Sequence, residues 1–435
     1  MSDFTRPIVL FGALVLTGQL MTHAAHSPPL APVQASSGEI ALTIQAIASP
    51  APAGSAQPQL TVSDRGVLLS WIERSGTFAA LKFAERTSTG WTTPRQVAAG
   101  SDWFVNWADV PSVIRLDDGT VYGHWLQKSG EDTYAYDLRL ARSTDDGKTF
   151  SPSFTPHHDG TQTEHGFGSL FQMPGAGLGL VWLDGRAMKG GHGGHGEAGG
   201  EMSLRGALYD RAGKQIADMP IDARVCECCP TAAAITADGP IIAYRDRSGD
   251  EIRDISISRY ISDSPAETQG ARAGNWSTPV AVHNDQWKIA ACPVNGPALS
   301  AEGRSVAIAW FTAKGDEGHA YAAFSSNAGA SFGTPIRLDE VTALGRVDVQ
   351  LLADGAAVAT WIEFADGRAQ FKARRVETSG KKGPAVAVAG INQGRSSGYP
   401  RMARFNNELV FAWTETADSP GVRTAVARLA AAPSR

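Results

Sequence analysis

Four cysteines fall in two short segments, and their spacing is the pattern best suited to carry chemistry. Cys226, Cys228 and Cys229 form the run Cys-Glu-Cys-Cys-Pro, and Cys292 lies in Ala-Cys-Pro. Thiolates bind Cu(I) and Zn(II), so these residues are candidate metal ligands for copper or zinc, with His165 as a further ligand. The alternative is a disulfide between Cys292 and one of the triplet, which suits an oxidising compartment. The spacing matches no standard zinc motif and leaves both interpretations open.

A glycine-rich segment offers a second set of metal-ligating side chains. His192 and His195 are separated by two glycines and are followed by Glu197. Imidazole and carboxylate groups on such a loop can wrap a metal ion, so His192 and His195 are candidate ligands beside the cysteines. The alternative is a low-complexity loop that binds metal only adventitiously. His157 and His158 are expected near an outer strand, and we assign them no role.

The elements that would position these residues form a sequence repeat. An apolar strand that ends in an aromatic residue, commonly Trp, and leads into a polar loop recurs seven times, mostly about 50 residues apart. A shorter apolar run precedes each copy and a third strand follows it, so each unit is a meander of short strands. The copies are Leu68–Glu73, Val121–Gln127, Leu178–Asp184, Ile241–Asp246, Val306–Thr312, Ala357–Glu363 and Leu409–Glu415.

Repeated four-stranded meanders predict an all-β fold, a β-propeller. Seven blades are preferred, and six blades are the alternative if one unit is an insertion. The last unit ends after its third strand, Thr424–Leu429, and the early segment Glu39–Ile47 is expected to supply the missing outer strand. This pairing would close the ring and cover two sheet edges at once.

Propeller geometry predicts where the candidate residues meet. The first strand of each blade lines the channel, so the loops between blades share one face with the loops that link second to third strands. We expect a functional site on this face, around one mouth of the channel. The candidates on these loops are Asp109, His165, Arg245, Arg247, Arg346, Glu363, Tyr399, Arg401, Glu415 and the four cysteines. The alternative is that the charged loop residues pair with one another.

Two short motifs resemble the Asp-box of sialidases and other BNR-repeat proteins. Residues Ser143–Phe150 match Ser-x-Asp-x-Gly-x-Thr-Trp/Phe, and Ser325–Phe332 is a degenerate copy with Asn327 at the Asp position. Each lies between the third and fourth strands of its unit, as in that family. The resemblance implies a turn capped by the Asp and an aromatic residue packed between strands, away from the active face. It supports the fold more than a function.

The resemblance also implies catalytic and substrate-binding residues. Sialidases hold the sugar carboxylate with three arginines and use a Tyr nucleophile activated by a Glu, with an Asp as acid/base. The corresponding candidates are Tyr399 as nucleophile, Glu363 or Glu415 as its activator, Asp109 as acid/base, and Arg346, Arg401 and either Arg245 or Arg247 as the clamp. The family's Arg-Ile-Pro motif has no counterpart, because the comparable stretch at 109–112 reads Asp-Val-Pro-Ser.

Three functions follow from these patterns. The first is an exported sialidase-like propeller, a glycoside hydrolase or another enzyme that acts on an anionic sugar. The second is a metal-dependent propeller with a Cys/His site for copper or zinc, acting in redox chemistry or metal handling. The third is a non-catalytic binding or scaffold propeller. In each case the expected partner is a small molecule or a glycan.

The N-terminal region predicts export. Arg6, the apolar run Pro7–Leu20 and the small residues Ala24 and Ala25 have the pattern of a signal peptide over residues 1–25. Residues 26–37 are expected to be a disordered linker and residues 38–435 a single propeller domain. The prediction is a periplasmic or secreted monomer without membrane insertion after signal removal. The 39 basic and 44 acidic residues form no basic stripe, which argues against a nucleic-acid partner.

Overall fold

Seven antiparallel sheets form the molecule in the computed structural model, which describes residues 42–173, 177–188, 200–262, 274–417 and 419–429. Each sheet is one blade, so the prediction of a seven-bladed β-propeller is confirmed. The predicted signal peptide and linker, and His192 and His195, lie outside the described residues. No helix in the described part of the chain is long and apolar enough to cross a membrane.

The first four blades follow one another along the chain. Blade 1 has β2 (Ala56–Val62), β3 (Val67–Ser75), β4 (Phe78–Thr87), β5 (Gly90–Trp91) and β6 (Arg95–Gly100). Blade 2 has β7 (Ser112–Arg115), β8 (Val121–Lys128) and β9 (Tyr136–Ser143). Blade 3 has β10 (His165–Gln172), β11 (Leu178–Asp184), β12 (Ser203–Tyr209) and β13 (Gln215–Asp222). Blade 4 has β14 (Ala232–Thr236), β15 (Gly239–Arg245), β16 (Ile255–Ile261), β17 (Asn275–Trp276) and β18 (Val280–Ala281).

The last three blades complete the ring. Blade 5 has β19 (Ala298–Glu302), β20 (Ser305–Thr312), β21 (His319–Ser325) and β22 (Ile336–Arg337). Blade 6 has β23 (Thr342–Leu351), β24 (Ala357–Ala365), β25 (Arg368–Val376) and β26 (Val386–Ile391). Blade 7 has β27 (Arg401–Phe405), β28 (Glu408–Glu415), β29 (Gly421–Arg428) and, from the other end of the chain, β1 (Ile44–Ile47). Two single-turn 3-10 helices occur at Lys314–Asp316 and Arg395–Ser397.

The seven repeated apolar segments are the second strands of the blades. They are buried because each packs against the blades on both sides, which explains why they read as continuous apolar runs rather than alternating ones. The Trp side chains at 71, 182, 310 and 361 are completely buried. All four indoles donate to a carboxylate. Trp71, Trp182 and Trp361 donate to the acid two residues later, Glu73, Asp184 and Glu363, and Trp310 donates to Asp285. The Trp-x-acid pattern thus marks a buried hydrogen bond from the indole to the acid two residues later, which recurs in blades 1, 3 and 6.

The first strand of each blade faces the central channel. The channel has a volume of about 560 Å³. Its lining includes one or more residues from each first strand: Gln59, Ser112, Gly168, Ala232, Leu299, Gln350 and Met402. Asp348 and Arg401 also line it, in the first strands of blades 6 and 7.

Blade 7 joins the two ends of the described chain. β1 pairs antiparallel with β29, with Ile44 opposite Ala427 and Ile47 opposite Thr424. The prediction that an early strand closes the ring is therefore confirmed, with the strand four residues long rather than nine. A second contact, the bridge between Ala53 and Gly421, continues this closure toward blade 1.

The two Asp-box-like segments are turns on blades 2 and 5. In the first, Asp145 accepts hydrogen bonds from the amides of Lys148 and Thr149, at 3.1 and 2.9 Å. Phe150 packs edge-on against Phe83 of blade 1, with ring centroids 6.4 Å apart. The second turn uses Asn327 Oδ1 in the same way, accepting from the Ser331 amide at 3.0 Å. Both turns therefore have the capped structure that the resemblance implied.

Candidate functional site

Three of the four cysteines form a compact group, which we call the thiol cluster: Cys226, Cys228 and Cys229. Their sulfur atoms all lie within 4.8 Å of one another. Cys226 Sγ is 3.0 Å from Cys229 Sγ and 3.7 Å from Cys228 Sγ. Cys226 and Cys229 are buried and Cys228 is half-buried, and all four cysteines are free thiols.

The loop between blades 3 and 4 positions the thiol cluster. The amide of Cys226 donates to the carbonyl of Arg245 at 3.0 Å, which anchors the loop to the end of β15. Pro230 follows the cluster, and its backbone lies directly against Gly296 in the next loop between blades. A side chain at position 296 would collide with the Pro230 carbonyl, so glycine is required for this close approach.

A buried ion-pair group surrounds the thiol cluster. Arg253 Nη1 lies 3.3 Å from Cys226 Sγ and donates to Glu227 Oε2 at 2.7 Å. Arg247 contacts the other oxygen of Glu227, and Glu251 pairs with both guanidinium groups. Arg253 is thus the cation that contacts a sulfur atom, and Arg247 is held behind it by the same carboxylates. The sequence pattern missed Arg253 entirely, and Glu227 was visible only as the residue inside the Cys run.

The thiols differ in their tendency to ionise. Burial raises the pKa of Cys226, but hydrogen bonds from Cys228 and Cys229 and the charge of Arg253 outweigh it and bring the pKa well below its usual range. The hydrogen bond to Cys226 raises the pKa of Cys228, and burial raises that of Cys229. Cys226 is therefore the thiol of the cluster that ionises most readily, and Cys228 and Cys229 hold their protons more strongly.

Cys292 stands beside the thiol cluster on the solvent side. It is exposed, and it precedes β19 in the same way that the cluster precedes β14. A hydrogen bond from Cys228 lowers the pKa of Cys292. The structure thus brings together the four cysteines, as their matching positions before consecutive blades predicted. The closest sulfur pair is Cys226 and Cys229, not a pair that includes Cys292.

His165 does not join the cysteines. Its ring stacks on His157, with centroids 3.7 Å apart, and its nitrogens face Asp137 and Asp159. His165 is the first residue of β10 and is completely buried, so its side chain lies inside the protein between blades 2 and 3. The prediction that it serves as a ligand beside the thiols is therefore wrong, and His157, to which the sequence assigned no role, is its stacking partner.

The predicted arginine clamp is not assembled. Arg245 is buried and donates to three backbone carbonyls, those of Asn295, Arg253 and Phe311. Arg247 is held by carboxylates, as described above. Arg346 donates to Ser397 Oγ at 2.6 Å and to the Gly398 carbonyl at 3.0 Å. These three side chains hold neighbouring blades together, so their hydrogen bonds serve the protein itself.

The predicted nucleophile is also engaged inside the protein. Tyr399 is 2% exposed, and its hydroxyl donates to the Val294 carbonyl at 2.5 Å. Burial raises its pKa far above the usual value. Its ring stacks on Trp107 at 6.0 Å between centroids, and the Arg401 guanidinium lies 5.2 Å from the ring centroid. Tyr399 is therefore a packing residue whose hydroxyl is committed to a backbone carbonyl.

Neither proposed activator contacts Tyr399. Glu363 is completely buried and accepts from Lys372 Nζ at 2.5 Å, from Trp361 and from a backbone amide. Glu415 accepts from the amides of Thr416 and Ala417, at 2.8 and 2.9 Å. Both occupy the acid position of the Trp-x-acid repeat, at the end of a second strand. The recurrence of an acid at this position in several blades is the sequence signal that could have indicated a structural role for Glu363 and Glu415.

Asp109 and Glu164 are two buried carboxyl groups that flank the hydroxyl of Tyr136. Tyr136 Oη donates to Glu164 Oε1 at 2.5 Å and lies 3.4 Å from Asp109 Oδ2. Burial raises the pKa of Asp109 to about 7, and burial also raises the pKa of Glu164 well above its usual range. Asp109 Oδ1 has no hydrogen-bond partner among the described residues. The carboxyl of Asp109 can therefore gain or lose a proton near neutral pH, the property expected of an acid/base.

Arg401 differs from the other arginines. Its Nε is buried without a hydrogen-bond partner in the described part of the chain, and the residue lines the channel beside Asp348. Burial lowers the pKa of Arg401 and raises that of Asp348 to about 6. Asp348 accepts from the amides of Met402 and Val349, at 2.9 and 2.8 Å. The channel lining thus includes a cation, Arg401, whose donors are not all committed among the described residues.

Fold and site together define a seven-bladed β-propeller with a thiol cluster between blades 3 and 4. No family model and no curated protein matches the sequence. Solved structures share the fold. The polysaccharide lyase Uly1 has 13% identity and a TM-score of 0.50, over 88% of this chain and 91% of that chain. A protein of unknown function from Dyadobacter fermentans DSM 18053 has 13% identity and a TM-score of 0.49, over 90% and 99%. The sialidase NanB from Streptococcus pneumoniae has 7% identity and a TM-score of 0.44, over 89% and 94%. At these identities the likeness concerns the fold.

Proposed function

We propose that this propeller binds monovalent copper at the thiol cluster and serves in copper handling. The observation that carries the proposal is the convergence of three sulfur atoms within 4.8 Å, two of them buried, at one loop between blades. Thiolates are soft ligands that select Cu(I) among the metals available to proteins. Burial keeps water from competing for the ion, and no further ligand is needed for three-coordinate copper.

The surrounding charges support this choice. Arg253 beside Cys226 offsets the negative charge that three thiolates would place around a monovalent ion. Cys228 and Cys229, whose pKa values are raised, would each give up a proton when a metal binds. Copper affinity is therefore expected to rise with pH, because bound metal and thiol protons compete for the same sulfur atoms.

Cys292 supports a route for the ion. It is the exposed thiol of the four, its pKa is lowered, and Cys228 lies between it and the buried pair. A thiol in this place can take an ion from solvent and pass it inward by ligand exchange. Cys292 is thus assigned to capture and Cys226 and Cys229 to retention.

The test measures copper and free thiols on the same sample. Protein from the periplasm or medium, the compartment we propose for it, would be loaded with Cu(I) under reducing, anaerobic conditions and assayed by elemental analysis and thiol titration. One copper per chain is expected in the wild type and none after gel filtration in a Cys226→Ser, Cys229→Ser variant. Cys292→Ser is the matched control, with full copper content and slower loading.

Two outcomes would contradict the proposal. Protein that holds no copper and shows two titratable thiols before reduction and four after it would make the cluster a disulfide site. Retention of zinc in preference to copper would assign the cluster to a divalent ion with Cys292 as fourth ligand.

A second candidate function rests on Arg401. Its guanidinium lines a channel of about 560 Å³ and has an Nε without a hydrogen-bond partner among the described residues, so it can receive a carboxylate, the group shared by acidic sugars. Glucuronate and sialic acid are the probes, and a rise in Tm is the readout. Arg401→Gln is expected to abolish that rise, and Arg304→Gln, at an exposed ion pair with Asp238, is the control. An equal rise in wild type and Arg401→Gln would remove this function.

A further inference from the structure

A buried group of histidines and aspartates lies between blades 2 and 3, apart from the thiols. The rings of His157 and His165 are parallel within 4°, with centroids 3.7 Å apart. His165 is completely buried and His157 is 5% exposed. Asp159 Oδ2 lies 3.3 Å from His165 Nε2, and Asp184 Oδ2 lies 3.9 Å from the same nitrogen.

Several polar atoms of this group make no well-formed hydrogen bond in the described part of the chain, although Asp159 Oδ2 lies 3.3 Å from His165 Nε2 and 3.4 Å from both His157 Nδ1 and Arg186 Nη2. These atoms are His165 Nε2, His157 Nε2 and Asp159 Oδ2. Unpartnered buried polar atoms are costly, and several at one place indicate a ligand or ion that satisfies them. His165 Nε2 and Asp159 Oδ2 face each other and are the kinds of atom that bind divalent metals, whereas His157 Nε2 lies 3.8 Å from Asp137.

The other nitrogen of His165 fixes the ring. His165 Nδ1 lies 3.2 Å from the carbonyl of Thr163, so the tautomer with its proton on Nδ1 donates there. Its lone pair then sits on Nε2 and points at two carboxylates. Metal-binding histidines commonly donate their second nitrogen to a backbone carbonyl in this way, and stacking on His157 adds a second restraint.

We propose that His165 Nε2, Asp159 and Asp184 form a site for a divalent metal ion of the zinc type, independent of the thiol cluster. One imidazole and two carboxylates suit a borderline divalent ion better than Cu(I). Ligand atoms about 2.0–2.2 Å from a tetrahedral ion stand about 3.3–3.6 Å apart, close to the 3.3 Å between His165 and Asp159. Asp184, at 3.9 Å, needs to approach by only a few tenths of an ångström.

Arg186 is the cation that now faces these carboxylates. Its guanidinium pairs with Asp184 at 2.6 Å and lies 3.4 Å from Asp159. The Arg186 side chain is 27% exposed, so it can turn toward solvent when an ion takes its place. Arg186 therefore competes with the metal and sets its affinity.

This competition can be tested by metal binding, because a purely structural ion pair between Arg186 and the carboxylates would bind no metal ion when Arg186 is replaced. The probe is Co²⁺, whose absorption separates thiolate ligands, which give intense charge-transfer bands, from nitrogen and oxygen ligands, which give weak visible bands. The thiols are filled first with Ag⁺, and Co²⁺ is then titrated into the whole protein. We expect one equivalent to bind wild type without a charge-transfer band.

Variants then identify the ligands. Arg186→Gln is expected to tighten Co²⁺ binding at least about 10-fold, and Asp159→Asn to weaken it at least about 10-fold. His158→Gln is the matched control, because the exposed His158 is adjacent to His157 and contacts Gln215 instead. Should Asp159→Asn fail to fold, the wild-type titration and Arg186→Gln still decide.

Two results would overturn the proposal. In one, silver-filled wild-type protein takes up no cobalt, which would make the group a protonated His165 paired with Asp159. In the other, Arg186→Gln is less stable than wild type and cobalt neither binds nor restores its Tm. Cobalt bound at the thiols would show charge-transfer absorption, whereas cobalt bound at His165, Asp159 and Asp184 would not. Failure of the copper proposal and failure of this one therefore give different spectra.

Discussion

Arg253 places a guanidinium nitrogen 3.3 Å from Cys226 Sγ, and both residues are completely out of contact with solvent. The same nitrogen donates to Glu227, so one arginine serves a thiol and a carboxylate. Glu227 thereby moderates the field that the sulfur atoms experience, since its charge opposes that of Arg253. Glu227, a residue of their own loop, therefore contributes to the reactivity of the cysteines.

Replacing Glu227 by Gln is expected to act on the exposed thiol. Glu227 raises the pKa of Cys292 by charge repulsion, although the hydrogen bond from Cys228 leaves that pKa lowered overall. Without the carboxylate, the alkylation of Cys292 by iodoacetamide should reach its half-maximal rate at a lower pH. The variant should also lose about 3 kcal/mol of unfolding free energy, because Arg247 and Arg253 lose a buried partner.

Glu201→Gln is the control for that variant. Glu201 lies 3.4 Å from Arg247 but its side chain is 40% exposed, so its removal should cost under about 1 kcal/mol. If the alkylation profile of Cys292 moved to higher pH in Glu227→Gln, the proposed effect of Glu227 on the pKa of Cys292 would be contradicted.

Asp109 should make the protein less stable as pH rises. Burial raises its pKa from 3.8 to about 7 in the folded state, so above pH 4 the unfolded chain ionises it while the folded protein holds its proton. Stability present at low pH is then lost between about pH 4 and 7, by up to about 4 kcal/mol. In urea unfolding experiments, the free energy of unfolding of Asp109→Asn should fall less steeply with pH across this range than that of wild type. Asp132→Asn, at an exposed position, should decline as wild type does.

Glu363→Gln should destabilise blade 6 without affecting metal binding. The change removes the charge that pairs with Lys372 Nζ at 2.5 Å, where the Lys372 side chain is 13% exposed. The expected loss is about 2 kcal/mol in urea unfolding, with copper content unchanged. Glu415→Gln is matched in sequence position and should change stability by under about 0.5 kcal/mol, since Glu415 accepts only backbone hydrogen bonds. Equal effects would show that the ion pair to Lys372 is unimportant.

Arg245→Lys tests the structural role of the predicted clamp. A lysine ammonium cannot reproduce the planar set of donors that reaches the carbonyls of Asn295, Arg253 and Phe311. A loss of about 3 kcal/mol in unfolding free energy is expected. Arg401→Gln should cost less, because Arg401 Nε has no hydrogen bond in the described part of the chain to lose. A larger loss of unfolding free energy in Arg401→Gln than in Arg245→Lys would contradict the structural role of Arg245 and make it a candidate ligand-binding residue again.

The fold could be predicted because its signal is repeated. The second strand of each blade is buried on both faces, so the same apolar run with a terminal aromatic recurs seven times, and errors in one copy are corrected by the others. The early closing strand followed from the missing outer strand of the last unit. Its shortened length, Ile44–Ile47, depends on where the pairing with β29 ends, and sequence does not encode this.

The candidate site could be predicted only in part. The cysteines were found together because matching positions before consecutive blades must be neighbours. The arginines were misassigned because their acceptors are backbone carbonyls of other blades, such as Phe311, which leave no trace in residue type. The stack of His157 on His165 was missed for a related reason. It depends on the path of the irregular segment between β9 and β10.

The pairing of β1 with β29 has a consequence for biosynthesis. Ile44 meets Ala427, so a strand made among the first fifty residues must wait for nearly the whole chain to be synthesised before it finds its partner. Contacts so distant in sequence form slowly, because the entropy of closing the loop is lost before the contact is gained. Six blades can assemble in order, but the seventh cannot be completed until both ends are present. The chain therefore stays open at one seam until late in folding.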